Sequence, residues 1–280
     1  MILCVGGRAV TRGVEYELMR PAEIVRERTR IPLVFIPVGP LEWHGPHLPL
    51  GTDGLHAHAV AVEVARRVGG VVLPTYFAGT ETVLPTDQRP QSPANLGFDN
   101  TERIIGMDFP DNPVKSLYFE EGVFAVMVRE ILRLLKADGY RLLVIVNGHG
   151  AENQQRTLRR LAAEEAYPPD VQVVHTMTFV PTVPPFSAIG HAEKIETSIM
   201  MALMPDFVDV RTLPSKEMPL RYRDYGIVDG KTFDGYPTPD FTLRTESDPR
   251  DASGELGQEI LAAEVDHLVE AIQRHVQSMR

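Results

Sequence analysis

The side chains most suited to chemistry are concentrated in a few short stretches, the first of which runs from Pro37 to Asp53. Glu42 and His44 are two positions apart, so in an extended segment both side chains point to the same side. With Asp53 they place two carboxylates and an imidazole within twelve residues, a donor set that suits zinc, manganese or iron. The spacing fits equally well a surface loop in which Asp53 or Thr52 caps the next helix.

Two further stretches offer donors of the same kinds. His149 lies between two glycines, where the backbone either passes close to a bound group or simply turns tightly. The third stretch contains His191, Glu193 and Glu196, and its two glutamates share a face if the segment is helical. Carboxylates are also ordinary at helix starts, where they offset the helix dipole, so this stretch alone is weak evidence for a functional site.

These stretches follow segments whose hydrophobic pattern predicts strands. Short apolar runs predict β-strands at 33–38, 71–73, 142–146 and 171–174. Amphipathic periodicity predicts helices at 53–67, 123–137, 152–166, 193–203 and 256–276. Strands alternating with helices predict an α/β fold, with a mostly parallel sheet covered by helices on both faces. Because ligands bind outside the carboxyl ends of parallel strands, we expect the polar stretches to meet at one edge of this sheet.

The rest of the chain carries weaker signals. Neither a linker nor a repeat interrupts the sequence, so we expect one domain over residues 1–280. The Pro-rich stretch 76–115 has no clear periodicity, and a loop of that length is typical of a functional segment or an insertion. His56 and His58 are expected on the polar surface of a helix, with a ligand role as the alternative, and His175 is expected within the core or at its edge.

Composition excludes several classes of protein. There are 28 Lys and Arg against 38 Asp and Glu, a formal net charge of −10, so nucleic acid is not an expected partner. No apolar run approaches the roughly 20 residues needed to cross a bilayer, so no membrane partner is expected. The start lacks the pattern of a secretion signal, and Cys4 is the only cysteine, which excludes an internal disulfide and a cysteine-built zinc site. We therefore expect a cytoplasmic globular protein.

Three segments together resemble the creatininase family of metal-dependent amidohydrolases. They are Pro37-Val-Gly-x-x-Glu-x-His-Gly-Pro-His-Leu-Pro-Leu-Gly-Thr-Asp53, Val146-Asn-Gly-His-Gly150 and His191-Ala-x-x-x-Glu-Thr-Ser198. Asp248-Pro-Arg-x-Ala-Ser-x-x-x-Gly257 resembles the family's C-terminal signature, and the resemblance runs from about residue 20 to the end. It implies a three-layer α/β/α fold, a small-molecule substrate and a homo-oligomer, of which a hexamer is one form.

The resemblance also implies two divalent metal ions, which are zinc, manganese or iron. The residues that match metal ligands, with Asp53 bridging the two ions, are Glu42, His44, Asp53 and His149. Glu196 matches the carboxylate that completes the site in many members. Creatininase itself has a ligand glutamate two residues after the matched histidine, where this chain has Ala151, with Glu152 one later. Either Glu152 or Glu196 is thus the last ligand, and we expect Glu196.

The implied reaction is hydrolysis of a carbonyl compound, with a cyclic amide as the expected substrate. A hydroxide held between two divalent ions is a nucleophile at neutral pH, since metal binding lowers the pKa of water from 15.7 toward about 7. His191 is the expected catalytic residue, carrying a proton to the leaving group. Creatininase has a glutamate before this histidine where the chain has Gly190, which argues against creatinine itself.

Two other functions remain open. Gly106-Met-Asp-Phe-Pro-x-Asn-x-x-Lys-Ser-Leu-Tyr-Phe119 resembles a subgroup associated with inositol breakdown, in which a carbon–carbon bond of a diketo-inositol ring is cleaved. In that interpretation Asp108, Lys115 and Tyr118 contact the substrate, or else the segment is ordered by an oligomer interface. Trp43 and Glu152 are further candidates for substrate binding. The third possibility is a binding or assembly protein that has kept the fold without the metals.

Overall fold

The computed structural model describes residues 13–84, 94, 97–99, 101, 104–179, 189–230 and 238–279. Its central sheet is built from four strands, which are β1 (Leu33–Val38), β2 (Val71–Val72), β5 (Leu142–Asn147) and β6 (Gln172–Met177). The strands β3 (Val83–Leu84) and β4 (Ile104–Ile105) form a separate antiparallel pair. Cys4 and part of the 76–115 stretch lie outside the described residues.

Seven α-helices are present in the described part of the chain. They are α1 (Pro21–Arg30), α2 (Thr52–Val68), α3 (Glu121–Ala137), α4 (Glu152–Glu165), α5 (Lys194–Leu203), α6 (Tyr222–Tyr225) and α7 (Gly254–Ser278). The sequence pattern did not predict α1, because Ile24 and Val25 are almost the only large apolar residues among its charges. None of the described helices has the length and apolarity that a membrane span requires.

The four strands of the central sheet are all parallel and lie in the order β2–β1–β5–β6. The chain steps from β1 to β2 on one side, and later returns to place β5 on the other side of β1, with Leu33 opposite Leu142 and Val38 opposite Asn147. The point at which strand order reverses therefore lies between β1 and β5. In open parallel sheets the crevice beyond the strand ends at this point is where ligands bind.

Helices cover both faces of the sheet, because alternate residues of each buried strand point to opposite sides. On one face Val34 and Ile36 pack with Phe124 of α3 and Leu158 of α4. The opposite face is packed against α2 and α7, and its buried residues include Phe35, Val144, Val60 and Leu268. The predicted α/β fold with a mostly parallel sheet is confirmed, with β6 three residues longer at its end than the pattern indicated.

One expectation about the histidines is wrong. His56 was expected on the polar surface of its helix, but it is only 7% exposed and points from α2 toward α7. There its Nε2 lies 2.7 Å from a carboxylate oxygen of Glu264, itself buried. A helix pattern shows which face is polar, whereas this pairing depends on a residue 208 positions later in the chain.

Candidate metal centre

The polar stretches after β1 and β5 meet at the start of α2. Two glycines make this close approach possible, since a Cβ on Gly39 would lie 2.7 Å from the Asp53 Cβ. A Cβ on Gly148 would lie 2.1 Å from the Asp53 carbonyl oxygen, closer than any side chain allows. Both loops therefore pack their backbone directly against the first turn of the helix, which brings their histidines and carboxylates onto Asp53.

Asp53 is the centre of the cluster and is 3% exposed. Its Oδ1 lies 3.1 Å from His44 Nε2, and its Oδ2 lies 3.0 Å from His149 Nδ1. The two carboxylate oxygens thus face two different imidazoles that come from two different loops. This is the geometry of a group that can be shared between two bound ions.

Glu42 and His44 point into the same space, as their two-residue spacing predicts. Glu42 Oε2 lies 3.2 Å from His149 Nδ1 and 3.8 Å from His44 Nε2. His44 Nδ1 lies 3.1 Å from the Glu42 carbonyl oxygen, which can only accept a hydrogen bond, so Nδ1 carries the proton. Without metal, Nε2 also carries a proton toward Asp53; when a cation displaces that proton, the Nε2 lone pair becomes the ligand, the form in which imidazole binds a metal.

His149 is held from both sides. The Asn147 amide brackets it, because Oδ1 accepts from the His149 backbone N–H at 3.0 Å and Nδ2 donates to the His149 carbonyl at 2.9 Å. Behind the ring, His149 Nε2 lies 3.3 Å from Glu81 Oε2. A carboxylate behind a histidine ring fixes its orientation and strengthens it as a ligand.

Glu81 is the site residue that sequence reasoning missed. It lies in the Pro-rich stretch after β2, where no periodicity or metal-ligand spacing marks it out. Only the fold brings it to His149, 68 positions later in the chain. A lone glutamate in an irregular segment gives no signal from which this contact could have been predicted.

The third stretch approaches from the opposite side. Glu196 Oε2 lies 3.8 Å from His44 Nε2 and accepts a hydrogen bond from the Ala192 backbone N–H at 2.5 Å. Ala192 has a φ of 54°, a left-handed conformation that is uncommon for a residue with a side chain. This conformation turns its N–H toward Glu196, so the backbone next to His191 also positions the carboxylate.

His191 lies beside these groups and is 7% exposed. Its Nε2 lies 2.6 Å from the Trp43 carbonyl oxygen, so Nε2 carries the proton and Nδ1 keeps a lone pair. Nδ1 is 4.0 Å from Glu42 Oε2, and the ring centroid is 4.3 Å from that of His44. The backbone of His191 pairs with Val228 in both directions, which fixes its position against the neighbouring segment.

Within the described residues, three groups have ligand atoms close enough together to hold an ion. They are Glu42, Asp53 and His149; His44, Asp53 and Glu196; and Glu42, His44 and His191. The first two groups use different residues except for Asp53, which belongs to both. Glu152 occurs in none of the three, although it was the alternative to Glu196.

The charges of the cluster favour a cation. Burial alone would raise the pKa of the Glu42 carboxyl, but His149 and His191 hold it below its usual value. Burial acts against a charged His44, yet Asp53, Glu196 and Glu42 raise its pKa to about 10. The cluster comprises four carboxyl groups and three imidazoles, namely Glu42, Asp53, Glu81, Glu196, His44, His149 and His191. Burial raises the pKa of Glu196, so positive charge nearby is needed to keep all the carboxyl groups of the cluster ionised. Divalent cations meet that need by displacing protons from the ligands.

The residues predicted to contact substrate have different surroundings. Tyr118 donates a hydrogen bond to Glu42 Oε1. The Trp43 indole N–H donates to the Tyr225 carbonyl at 3.0 Å, and its side chain is buried. Lys115 donates to the carbonyls of Phe109 and Pro110 in its own segment. Asp108 Oδ1 lies 3.9 Å from the Lys115 ammonium and accepts from the Ser116 N–H at 3.4 Å.

Glu152 lines a cavity of about 390 Å³ that adjoins the cluster, since Glu81 and Tyr118 also line it. The other residues around this cavity are Thr80, Thr82, Ile105, Phe119, Glu120, Glu121, Asn153 and Arg156. Among the described residues of this lining, Arg156 is the only cation, and it lies 3.6 Å from Glu121. The described part of the cavity wall is therefore strongly acidic.

Comparison with known proteins agrees with this geometry. A family model for creatininase, described as creatinine amidohydrolase, matches residues 17–86 and 115–272. Creatinine amidohydrolase of Pseudomonas putida is 28% identical over 259 residues, which cover 86% of this chain and 88% of that protein. The mycofactocin precursor peptide peptidase of Mycolicibacterium smegmatis is 27% identical over 260 residues, covering 87% and 85%.

Solved structures show the same relationship. A crystal structure of creatininase matches with a TM-score of 0.64 at 26% identity, covering 95% of this chain and 99% of that one. A structure described as creatininase Mn matches with a TM-score of 0.63 at 25% identity, with the same coverage. The expectations of a creatininase-like fold and of an enzyme are confirmed, and the chain belongs to the creatininase family of metal-dependent hydrolases.

Proposed function

We propose that this protein hydrolyses a cyclic amide, using two divalent cations held at the edge of the sheet. The proposal depends on the observation that two separate groups of ligand atoms share Asp53. Glu42 and His149 complete one group, and His44 and Glu196 complete the other. A carboxylate bridging two ions, with nitrogen and oxygen donors on each, is the arrangement found in binuclear hydrolases.

The donor set is consistent with the proposed metals. Carboxylate and imidazole ligands without a thiolate suit zinc, manganese or iron, and one related structure is described as an Mn form. When bound, such ions supply a water-derived nucleophile at neutral pH and polarise the substrate carbonyl. The rigid anchoring of His44 and His149 by Glu42 and Glu81 keeps the imidazoles in the tautomers that this role requires.

His191 is the proposed proton carrier. Its Nε2 is committed to the Trp43 carbonyl, so only Nδ1 is free to exchange a proton. Nδ1 faces Glu42 at 4.0 Å, on the side of the cluster where the His44 ring stacks at a tilt of 38°. A proton taken up at Nδ1 can then be given to the leaving nitrogen of the amide.

Both named relatives support an amide substrate, because creatinine amidohydrolase and a peptide peptidase each cleave a carbon–nitrogen bond. Creatinine itself is disfavoured by Gly190, which stands where creatininase has a glutamate. The position has no room for that side chain, since a Cβ on Gly190 would lie 1.9 Å from the Val228 carbonyl oxygen. We therefore propose a different cyclic amide.

The acidic cavity supports a restriction on the charge of the substrate. Four glutamates line its described part, where Arg156 is the one cation and lies near Glu121. An anionic substrate would be repelled, whereas a neutral or cationic molecule with several hydrogen-bond donors would find acceptors. Glu152 is the proposed contact residue among them, because it begins α4 three residues after His149 and belongs to none of the metal groups.

Opening of a diketo-inositol ring is the second candidate. The segment 106–119, on which that interpretation depends, lies against the cluster through Tyr118. A polyhydroxylated ring would also donate hydrogen bonds to the acidic wall of the cavity. The same bound ions would serve both reactions, so the substrate alone separates the two.

A substrate screen on the metal-loaded protein tests the proposal. Cyclic amides of neutral, cationic and anionic character are compared with diketo-inositols, with new carboxylate and new amine groups measured separately. Amide hydrolysis yields both groups, whereas ring opening of the carbocycle yields a carboxylate alone. We expect turnover of a neutral or cationic cyclic amide, and acid release from the carbocycle alone would overturn this first choice. His191→Gln serves as a control that should retain metal but lose turnover.

We also propose a homo-oligomer, with a hexamer as one form. Large apolar side chains that are more than half exposed on one stretch support it, namely Leu117, Val123, Val126 and Leu134. Size-exclusion chromatography with light scattering tests this directly.

A cytoplasmic location is proposed because Cys4, as the only cysteine, can form no internal disulfide.

A further inference from the structure

The segment 116–119 is joined to the ligand loop after β1 by contacts along its length. The Trp43 N–H donates to Ser116 Oγ at 2.9 Å, and the Leu117 N–H donates to the Leu41 carbonyl at 2.8 Å. Two residues further along, the Phe119 N–H donates to the Gly79 carbonyl at 2.8 Å. Tyr118 is thus fixed by backbone hydrogen bonds on both sides.

The Tyr118 side chain ends on a proposed ligand. Its hydroxyl donates to Glu42 Oε1, while Glu42 Oε2 faces His149 Nδ1 at 3.2 Å. The same hydroxyl oxygen accepts from the Met107 N–H at 3.5 Å. Because that contact uses a lone pair of the oxygen, the hydroxyl proton points to Glu42. Oε2 of Glu42 therefore faces the cluster, whereas Oε1 accepts a hydrogen bond from Tyr118.

We propose that Tyr118 is a positioning residue that holds Glu42 so that only Oε2 is available to a divalent cation. This inference rests on the proposed function of the cluster as a metal centre. It assigns the segment 106–119 a role in metal affinity, since the backbone of this segment fixes the tyrosine. Without the hydroxyl, Oε1 no longer accepts the hydrogen bond that keeps it away from the bound cation. The Glu42 carboxylate can then rotate and present either oxygen.

The alternative role, contact with substrate, makes a different prediction for the same variant. A substrate contact changes KM and leaves the affinity for metal unchanged. A residue that orients a ligand changes metal affinity, and at saturating metal it leaves KM near the native value. Tyr118→Phe separates the two because it removes the hydroxyl and keeps the buried ring.

The experiment measures Mn²⁺ affinity by competition with a fluorescent chelator, on the full chain freed of metal beforehand. We expect Tyr118→Phe to bind one of two ions about 10- to 100-fold more weakly, the usual effect of removing a group that orients a ligand. Tyr222→Phe is the matched control, because this buried tyrosine has its hydroxyl 3.8 Å from Met107 Sδ and makes no hydrogen bond to a proposed ligand among the described residues. Thermal unfolding of the metal-free variants checks that both remain folded.

Each outcome has a distinct meaning. Native affinity in Tyr118→Phe, with two ions bound by the unaltered protein, overturns this inference and leaves the metal centre intact. Equal weakening in Tyr118→Phe and Tyr222→Phe also overturns it, since the effect would then belong to packing of the segment. Failure of the unaltered protein to bind any ion overturns the proposed function and this inference together.

Discussion

Helix α2 contributes to two buried sets of histidine and carboxylate, and they differ in how many charges they bring together. In its first turn Asp53 contacts His44 and His149, each of which has further carboxylates nearby. Three residues later His56 Nε2 lies 2.7 Å from Glu264 Oε2, one imidazole against one carboxylate. Burial acts against a charged His56, but Glu264 raises its pKa, so the pair can balance itself with one proton.

The number of charged groups separates the proposed metal centre from the structural pair. A single buried carboxylate is neutralised by a single protonated histidine, and nothing more is needed. Around Asp53 four carboxyl groups face three imidazoles, and burial raises the pKa of Glu196, so protons on the histidines and on one carboxyl can balance the metal-free cluster. What sets this cluster apart is that its ligand atoms converge on shared points, where divalent cations can replace those protons.

Replacing one histidine of each set by alanine should separate the two sets most strongly. We expect His149→Ala to lose bound metal and to reduce turnover by roughly a thousandfold, since the ions supply several kcal/mol to the reaction. His56→Ala should keep both metal and turnover per folded molecule. Metal content by plasma mass spectrometry and steady-state rates measure both effects. Retained metal in His149→Ala would contradict the distinction between the two sets.

The structural pair should show its effect in stability instead. Glu264→Gln leaves His56 buried without its charge partner, and we expect the free energy of unfolding to fall by about 3 kcal/mol. Urea unfolding of the metal-free protein measures this loss. The double variant with His56→Leu should recover part of it, because no buried charge remains. A loss of metal without a loss of stability would instead place Glu264 in the metal centre.

His175 is a half-buried histidine that has no carboxylate partner among the described residues, unlike the histidines of the two sets above. Burial, helped by Arg159, lowers the pKa of His175 in β6 to about 4, and its Nε2 has no hydrogen-bond partner among the described residues. The unfolded chain takes up a proton near pH 6.5, before the folded chain does, so stability declines as pH falls below that value. We expect a loss of up to about 3 kcal/mol by pH 4 from this histidine.

The pH dependence is measured by urea unfolding between pH 7 and pH 4. His175→Leu should be less pH-dependent than the unaltered protein by that amount. His267→Gln, a change at an exposed histidine of α7, is the control and should keep the full slope. Identical slopes for all three proteins would show that His175 titrates normally in the fold.

The smallest expected effect concerns the acid that lies beside the centre but outside its ligand groups. Glu152→Gln should keep both ions and raise KM for a cationic substrate about two- to fivefold, the usual range for an exposed charge pair. KM for a neutral substrate should change less. A loss of one ion would instead make Glu152 a ligand, as in the alternative that the sequence left open.

The sequence predicted those parts of the site that follow strands. Glu42, His44 and His149 come directly after β1 and β5, and the sheet order places these two strands side by side. The predicted meeting of these stretches depended only on parallel topology and is present in the structure. Glu81 and the Glu264 partner of His56 were not predictable, because both contacts join segments far apart in the chain without a periodic signal.

If Asp53 is shared by two ions, the number of ions bound per chain must depend on this one aspartate. Equilibrium dialysis against Mn²⁺ compares the unaltered protein with Glu42→Gln, Glu196→Gln and Asp53→Asn. We predict two ions per chain in the unaltered protein, one in each glutamate variant and none in the aspartate variant. Fewer than two ions in the unaltered protein, or two ions retained in Asp53→Asn, would show that two ions do not share Asp53.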